Sequence, residues 1–190
     1  MHRTLKALKA GTVALAFVSM AGAAGAQSYN STIVGGSTFN RPLQGCTALS
    51  DVGTAVRYQT QALFTGTAGA YQFTSTANVP ALWDNFLLLY AGSFNPASAL
   101  TNCVASNDDG PLGIGQSQFS FAMLANTQYF LVTTAFGNAG GGTFTNQITG
   151  PSLVTFGTIP TNVIPEPSTY ALMATGLVGL MGMARRRRMN

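Results

Sequence analysis

The sequence predicts an all-β protein, a β-sandwich or jelly roll of about eight strands, flanked by an N-terminal signal helix and a C-terminal apolar helix. Three observations lead there. Between residues 27 and 160 apolar side chains recur with period two, and Gly, Asn and Pro interrupt the pattern, which is the signature of short strands. The same stretch has no helical periodicity, which argues against a parallel α/β fold. Both ends depart from this pattern, each pairing a basic cluster with a run of small and apolar residues.

The first element is residues 1–26. Arg3, Lys6 and Lys9 precede an apolar run from Gly11 to Ala24, and Ala24-Gly25-Ala26 stands before Gln27. Basic start, apolar centre and small-residue exit together define a secretory signal peptide, cut by signal peptidase after Ala26. The body, 27–160, follows. Val56, Tyr58, Thr60 and Ala62 alternate with Arg57, Gln59 and Gln61, and Tyr71, Phe73 and Ser75 continue after the turn-like Gly66–Gly69. The run Phe86–Tyr90 is continuously apolar, as suits a central strand covered on both faces. Phe119, Phe121 and Met123 resume the alternation. The segments 128–134 and 143–148 read as a hairpin joined across the Gly-rich 137–142.

The last element is residues 161–190. Pro165 and Pro167 bracket Glu166 and set an extended boundary, because the residue before each proline is pushed out of the α region. Tyr170–Ala184 then supplies an apolar or small run that would span roughly 22 Å as a helix, short of the roughly 30 Å hydrocarbon core. Snorkelling of the terminal arginines and local thinning would let it insert. Arg185, Arg186, Arg187 and Arg188 would stay cytoplasmic, placing the body outside.

The order of Pro165-Glu166-Pro167, a short apolar helix and an Arg cluster resembles the PEP-CTERM protein-sorting signal of Gram-negative bacteria; the same region also resembles what is labelled an ice-binding-protein C-terminal domain. The resemblance implies recognition by an exosortase, a membrane cysteine transpeptidase, in bacteria that make exopolysaccharide and biofilm. It further implies anchoring in the membrane before sorting, then a cell-surface or extracellular destination. A second resemblance covers residues 84–148. Asp84–Tyr90, Val104–Gly110, Gln118–Phe121, Leu124–Val132 and Gly142–Thr145 are similar to the bacterial pre-peptidase C-terminal domain. That family implies a jelly-roll accessory module of secreted proteins, some members of which bind calcium and polymers. Asn126-Thr127-Gln128 and the Gly-rich stretch before Thr143 depart from its pattern.

Charge narrows the function. The chain's formal +4 resides at its ends, whereas 27–160 carries Arg41 and Arg57 against Asp51, Asp84, Asp108 and Asp109, for −2. The folded part thus lacks the basic face that phosphate backbones require, and nucleic acid is excluded as a partner. The one histidine, His2, and both lysines lie in the signal segment, so the body has neither a His general base, a His zinc ligand nor a Lys Schiff base. With no histidine, and no glutamate before the tail, catalysis is the least favoured class.

Two local features carry candidate chemistry. Cys46 and Cys103 are the only cysteines, and export places them where two thiols in one small domain pair as a disulfide. Asn107-Asp108-Asp109-Gly110 gathers two of the body's four carboxylates on one turn, with Asp84 and Asn85 opening a nearby strand. Hard oxygen ligands on a Gly-flanked loop suit Ca²⁺, while an ordinary Asx turn needs no metal. Thr65-Gly66-Thr67, Thr74-Ser75-Thr76 and Thr143-Phe144-Thr145 recur at irregular intervals, unlike the ladder that a flat ice-binding face would need. Trp83, Tyr90 and Tyr129 read as core. The expectation is an exported surface or matrix protein with a structural or binding role in exopolysaccharide, and the alternative is a calcium-dependent carbohydrate-binding or adhesion module. A glycan binder should expose aromatic faces on one side of a sheet.

Overall fold

A computed structural model describes residues 24–160. The N-terminal signal helix and the C-terminal apolar helix, with the sorting motif, lie outside the described residues. Among the described residues no helix is long and apolar enough to cross a membrane.

Among the described residues, ten strands form two antiparallel sheets. They are β1 (Gly25–Thr32), β2 (Thr38–Phe39), β3 (Val56–Phe64), β4 (Gly69–Val79), β5 (Asn85–Ala91), β6 (Cys103–Asn107), β7 (Gln116–Met123), β8 (Tyr129–Ala135), β9 (Thr143–Gly150) and β10 (Thr155–Phe156). One sheet has the order β1-β9-β4-β7. The other runs β10-β3-β8-β5-β6, with β2 also on β3. The predicted all-β sandwich is therefore the fold, and Trp83, Tyr90 and Tyr129 are buried as expected.

Period two explains the layers. In β5, Leu87 and Leu89 face the inter-sheet core, where they join Leu63, Phe73, Leu131 and Ile148. The alternate residues Phe86, Leu88 and Tyr90 face away and meet Phe39, Val56, Ala99 and Val132. The six-stranded sheet is thus apolar on both faces, because segments 39–55 and 92–102 fold back over its outer side. Covering both faces requires the unbroken apolar run. The Tyr90 hydroxyl donates to the Ala99 carbonyl at 2.9 Å, closing that cover. Inside the sandwich, a polar belt of Ser75, Asn85, Ser117, Thr133 and Asn146 separates the main core from a smaller cluster around Trp83 and Phe144. Asn146 Nδ2 donates to Tyr29 Oη at 2.7 Å and to Thr133 Oγ1 at 2.8 Å, linking the sheets.

One expectation fails. Strands β8 and β9 do not form a hairpin but lie in opposite sheets, β8 between β3 and β5 and β9 between β1 and β4. The Gly-rich connection is a crossover over the end of the sandwich. A Cβ on Gly142 would stand 2.2 Å from the Val79 carbonyl oxygen and 2.8 Å from the Trp83 indole. Glycine here serves close approach rather than a tight turn.

The sandwich has two distinct ends. Gly25 lies against Ser152 and Leu153, and the Ile159 amide donates to Gln128 Oε1 at 2.7 Å. Both described chain ends therefore sit at the end that holds the β3–β4 and β7–β8 turns. The opposite end gathers the β4–β5, β6–β7 and β8–β9 loops.

Candidate functional site

The Asn107–Gly110 turn and Asp84 meet at the end remote from the chain termini. Strands β5 and β6 pair antiparallel with Leu87 opposite Asn107, so the residues just before Asn85 lie beside those just after Asn107. Carboxylate oxygens of Asp84, Asp108 and Asp109 consequently lie within 4.8 Å of one another. Asn107 is used differently. Its Nδ2 donates to the carbonyls of Asp109, at 2.9 Å, and Gln118, while its Oδ1 accepts from Gln44 Nε2 at 2.6 Å. The Asn107 side chain thus fixes the loop, and Asp84 supplies the third carboxylate. The buried Ser117 hydroxyl lies at hydrogen-bond distance from the carbonyls of Asn85, Asn107 and Asp108, tying the loop to β5 and β7.

Behind the carboxylates is Arg41, which the sequence gives no reason to bury and which is 1% exposed. Its guanidinium carbon lies 4.1 Å from the Phe86 ring centroid and 4.7 Å from that of Phe136. Nε donates to the Phe136 carbonyl at 2.9 Å and Nη1 to the Pro42 carbonyl at 3.0 Å. The field is mutual. Burial pushes the Asp108 carboxyl up to about 6, with Asp84 and Asp109 adding to the rise and Arg41 opposing it. Asp84 is raised by burial and then by Asp109. Arg41 is lowered by burial, against the pull of Asp108 and Asp84.

Geometry and charge fit a divalent hard cation. Calcium–oxygen distances of about 2.3–2.6 Å place two ligands of one ion up to roughly 5 Å apart, which the 4.8 Å clustering satisfies. Asp84, Asp108 and Asp109 would hold the ion, and Asp108 Oδ1 is buried with no hydrogen-bond partner. Calcium would offset both the burial that raises Asp108 and Asp84 and the carboxylate repulsion that adds to it.

The same shifts fix a pH dependence. Because the folded Asp108 carboxyl holds its proton more tightly than the unfolded one, its contribution is fully present below about pH 4 and is lost as pH rises through about 6. Asp84 acts with the same sign. After discounting for solvent screening, the loss amounts to about 1 kcal/mol, or roughly 3 °C in Tm. Thermal unfolding in EDTA between pH 4 and 7.5 should show this decline, and Asp108→Asn should flatten it. A flat wild-type profile would contradict the assignment.

The disulfide predicted from export is present between Cys46 and Cys103, whose Cα atoms are 5.8 Å apart. It joins a 3-10 turn, Gln44–Cys46, to the first residue of β6, immediately beside the Gln44–Asn107 contact. Among the described residues no aromatic side chain is exposed, so the aromatic platform set as the mark of a glycan binder is not found there.

A disulfide-stapled β-sandwich with an acidic loop cluster is the class that fold and site define. Residues 163–188 match the PEP-CTERM protein-sorting motif, which marks the chain for export and exosortase sorting to the cell surface or beyond. No curated protein sequence matches the chain. Among solved structures it is similar to the CBM35 from Cellvibrio japonicus Abf62, at 9% identity and a TM-score of 0.38, covering 70% of this chain and 100% of that one. It is also similar to the K1 cleaved adhesin domain of Lys-gingipain from Porphyromonas gingivalis W83, at 16% identity and a TM-score of 0.31, covering 73% of this chain and 100% of that one.

Proposed function

We propose that this chain is a noncatalytic surface module, held at its C-terminal end and acting structurally or as a binder in the exopolysaccharide matrix. One observation carries the reading. The described chain ends share one end of the sandwich, three residues before the sorting motif, and the acidic loops occupy the other. Tethering through the C-terminal segment therefore turns the Asp84, Asp108 and Asp109 end outward. Exposed Leu82, Leu112 and Ile114 flank that end and extend its contact surface.

The test uses the full chain in an exosortase-bearing host. Mass spectrometry of the surface fraction should recover protein that begins at Gln27 and lacks Arg185–Arg188. Cleavage after Ala26 removes two residues of β1 and leaves Gln27–Thr32 paired with β9. Glu166→Ala should block processing while leaving membrane association, since anchoring depends on the apolar run and recognition on the motif. Recovery of an intact Arg185–Arg188 peptide from the mature protein would show the segment to be an anchor and nothing more.

The carboxylate cluster favours a second reading, calcium-dependent adhesion or carbohydrate binding. Millimolar Ca²⁺ should then raise Tm at pH 7 by several degrees, as any ligand specific for the folded state does. Asp108→Asn with Asp109→Asn should abolish that rise, and no calcium response in the wild type would remove this reading.

A further inference from the structure

The outward face of the four-stranded sheet is an array of neutral hydrogen-bonding side chains that no described segment covers. Its register places Ser28, Gln147, Thr74 and Gln118 in one row across all four strands. The next row sets Asn30, Thr145 and Thr76 side by side. The Thr-x-Thr stretches of β4 and β9, some seventy residues apart in sequence, are thus neighbours in space.

Two properties of this face bear on its partner. Strands β1, β4, β7 and β9 contain no charged residue. All six charged side chains of 24–160 belong to the other sheet or to loops. The side chains are also held in place. Asn78 Nδ2 donates to Thr145 Oγ1 at 2.9 Å, and Thr145 Oγ1 donates to Asn30 Oδ1 at 2.7 Å, a chain running from β4 across β9 to β1. Ordered side chains lose less freedom on binding.

We propose that this face docks a neutral, hydroxyl-rich polysaccharide. The inference rests on the matrix reading above and names the class of polymer. With no exposed aromatic ring among the described residues to stack on a sugar, docking here would rest on hydrogen bonds alone, and hydroxyls and carboxamides each offer the donors and acceptors together that sugar hydroxyls require. Anionic polymers would find no cation on the face, and an apolar partner would find only the methyls of Ala26, Ala70 and Ala122 and of the threonines. A second copy would bury two such faces with no hydrophobic centre, unlike a stable interface core. The array is extended, roughly 14 Å across the strands and 20 Å along them, and suits a chain better than a single sugar.

The test is affinity electrophoresis of the mature protein, purified from the surface fraction, through gels containing dextran, galactomannan, alginate or the host's own exopolysaccharide. Retardation by a neutral polymer and not by alginate is expected. Thr145→Ala with Gln147→Ala should reduce retardation at least tenfold, and Ser28→Glu, at the sheet edge, serves as a second variant if the pair fails to fold. Wild-type protein that binds the host polymer while both face variants bind equally well would overturn the face and leave the matrix reading standing. Wild-type protein that binds no polymer would remove both. Retardation by alginate, or self-association in sedimentation that the face variants abolish, would also overturn the proposal.

Discussion

Replacing both Cys46 and Cys103 by serine is expected to lower the unfolding free energy by about 4 kcal/mol, the chain-entropy value for a cross-link closing a loop of this length. The two cysteines are 57 residues apart, and the loop between them contains β3, β4 and β5. The consequence is local as well as global. The disulfide holds the 3-10 turn to β6, where Ser106 Oγ donates to the Leu43 carbonyl at 3.1 Å and Gln44 holds Asn107. Without it the cover over Phe86, Leu88 and Tyr90 loosens, and so does the turn that carries Asp108 and Asp109. Calorimetry should show a Tm drop of roughly 10 °C in the double variant, and reductant should bring the wild type to the same value. Two alkylatable thiols in native exported protein would contradict the linkage.

How much of this was legible in the sequence depends on range. Local signals served well. The Phe86–Tyr90 run marks a buried central strand, the alternation at 56–62, 71–75 and 119–123 marks strands that the structure contains, and 128–134 and 143–148 are strands too, though not of one hairpin. Strand β1 carries no such signal, because its inward positions include a single large side chain, Tyr29, among polar and small residues. The sheet to which each strand belongs was not legible either. Gly137–Gly142 has the composition of a hairpin turn, and only the placement of β8 and β9 in opposite sheets makes it a crossover. At the site, Asp108 and Asp109 stood out as an Asx-rich turn, whereas the closeness of Asp84 depends on the Leu87–Asn107 register. Arg41 left a fainter trace. In a body with six charged residues each charge is conspicuous, but burial between two phenylalanines cannot be read from neighbours in sequence.

Arg41→Ala is expected to destabilise the fold by about 2–5 kcal/mol, the range for truncating a large buried side chain, with its two carbonyl acceptors left unpaired. Three losses coincide. Stacking on Phe86 and Phe136 is removed, the Phe136 and Pro42 carbonyls lose their charged donor, and Asp84 and Asp108 lose the cation that opposes their rise. Arg41→Lys keeps the charge but not the planar fork, and should fall between wild type and Arg41→Ala. Combining Arg41→Met with Asp108→Asn should recover part of the loss, because it replaces the guanidinium with apolar volume and removes the most perturbed carboxylate. Calcium should respond in the opposite direction. With its neighbouring positive charge gone, the Asp84, Asp108 and Asp109 cluster should bind Ca²⁺ more tightly even as the apo fold weakens. Denaturant unfolding at pH 7, paired with calcium titration of the Arg41→Lys and Arg41→Met proteins, separates the two effects. A loss below 1 kcal/mol on Arg41→Ala would mean that neither the packing of Arg41 nor its hydrogen bonds hold the fold, and unchanged calcium affinity in Arg41→Met would mean that its charge does not reach the carboxylates.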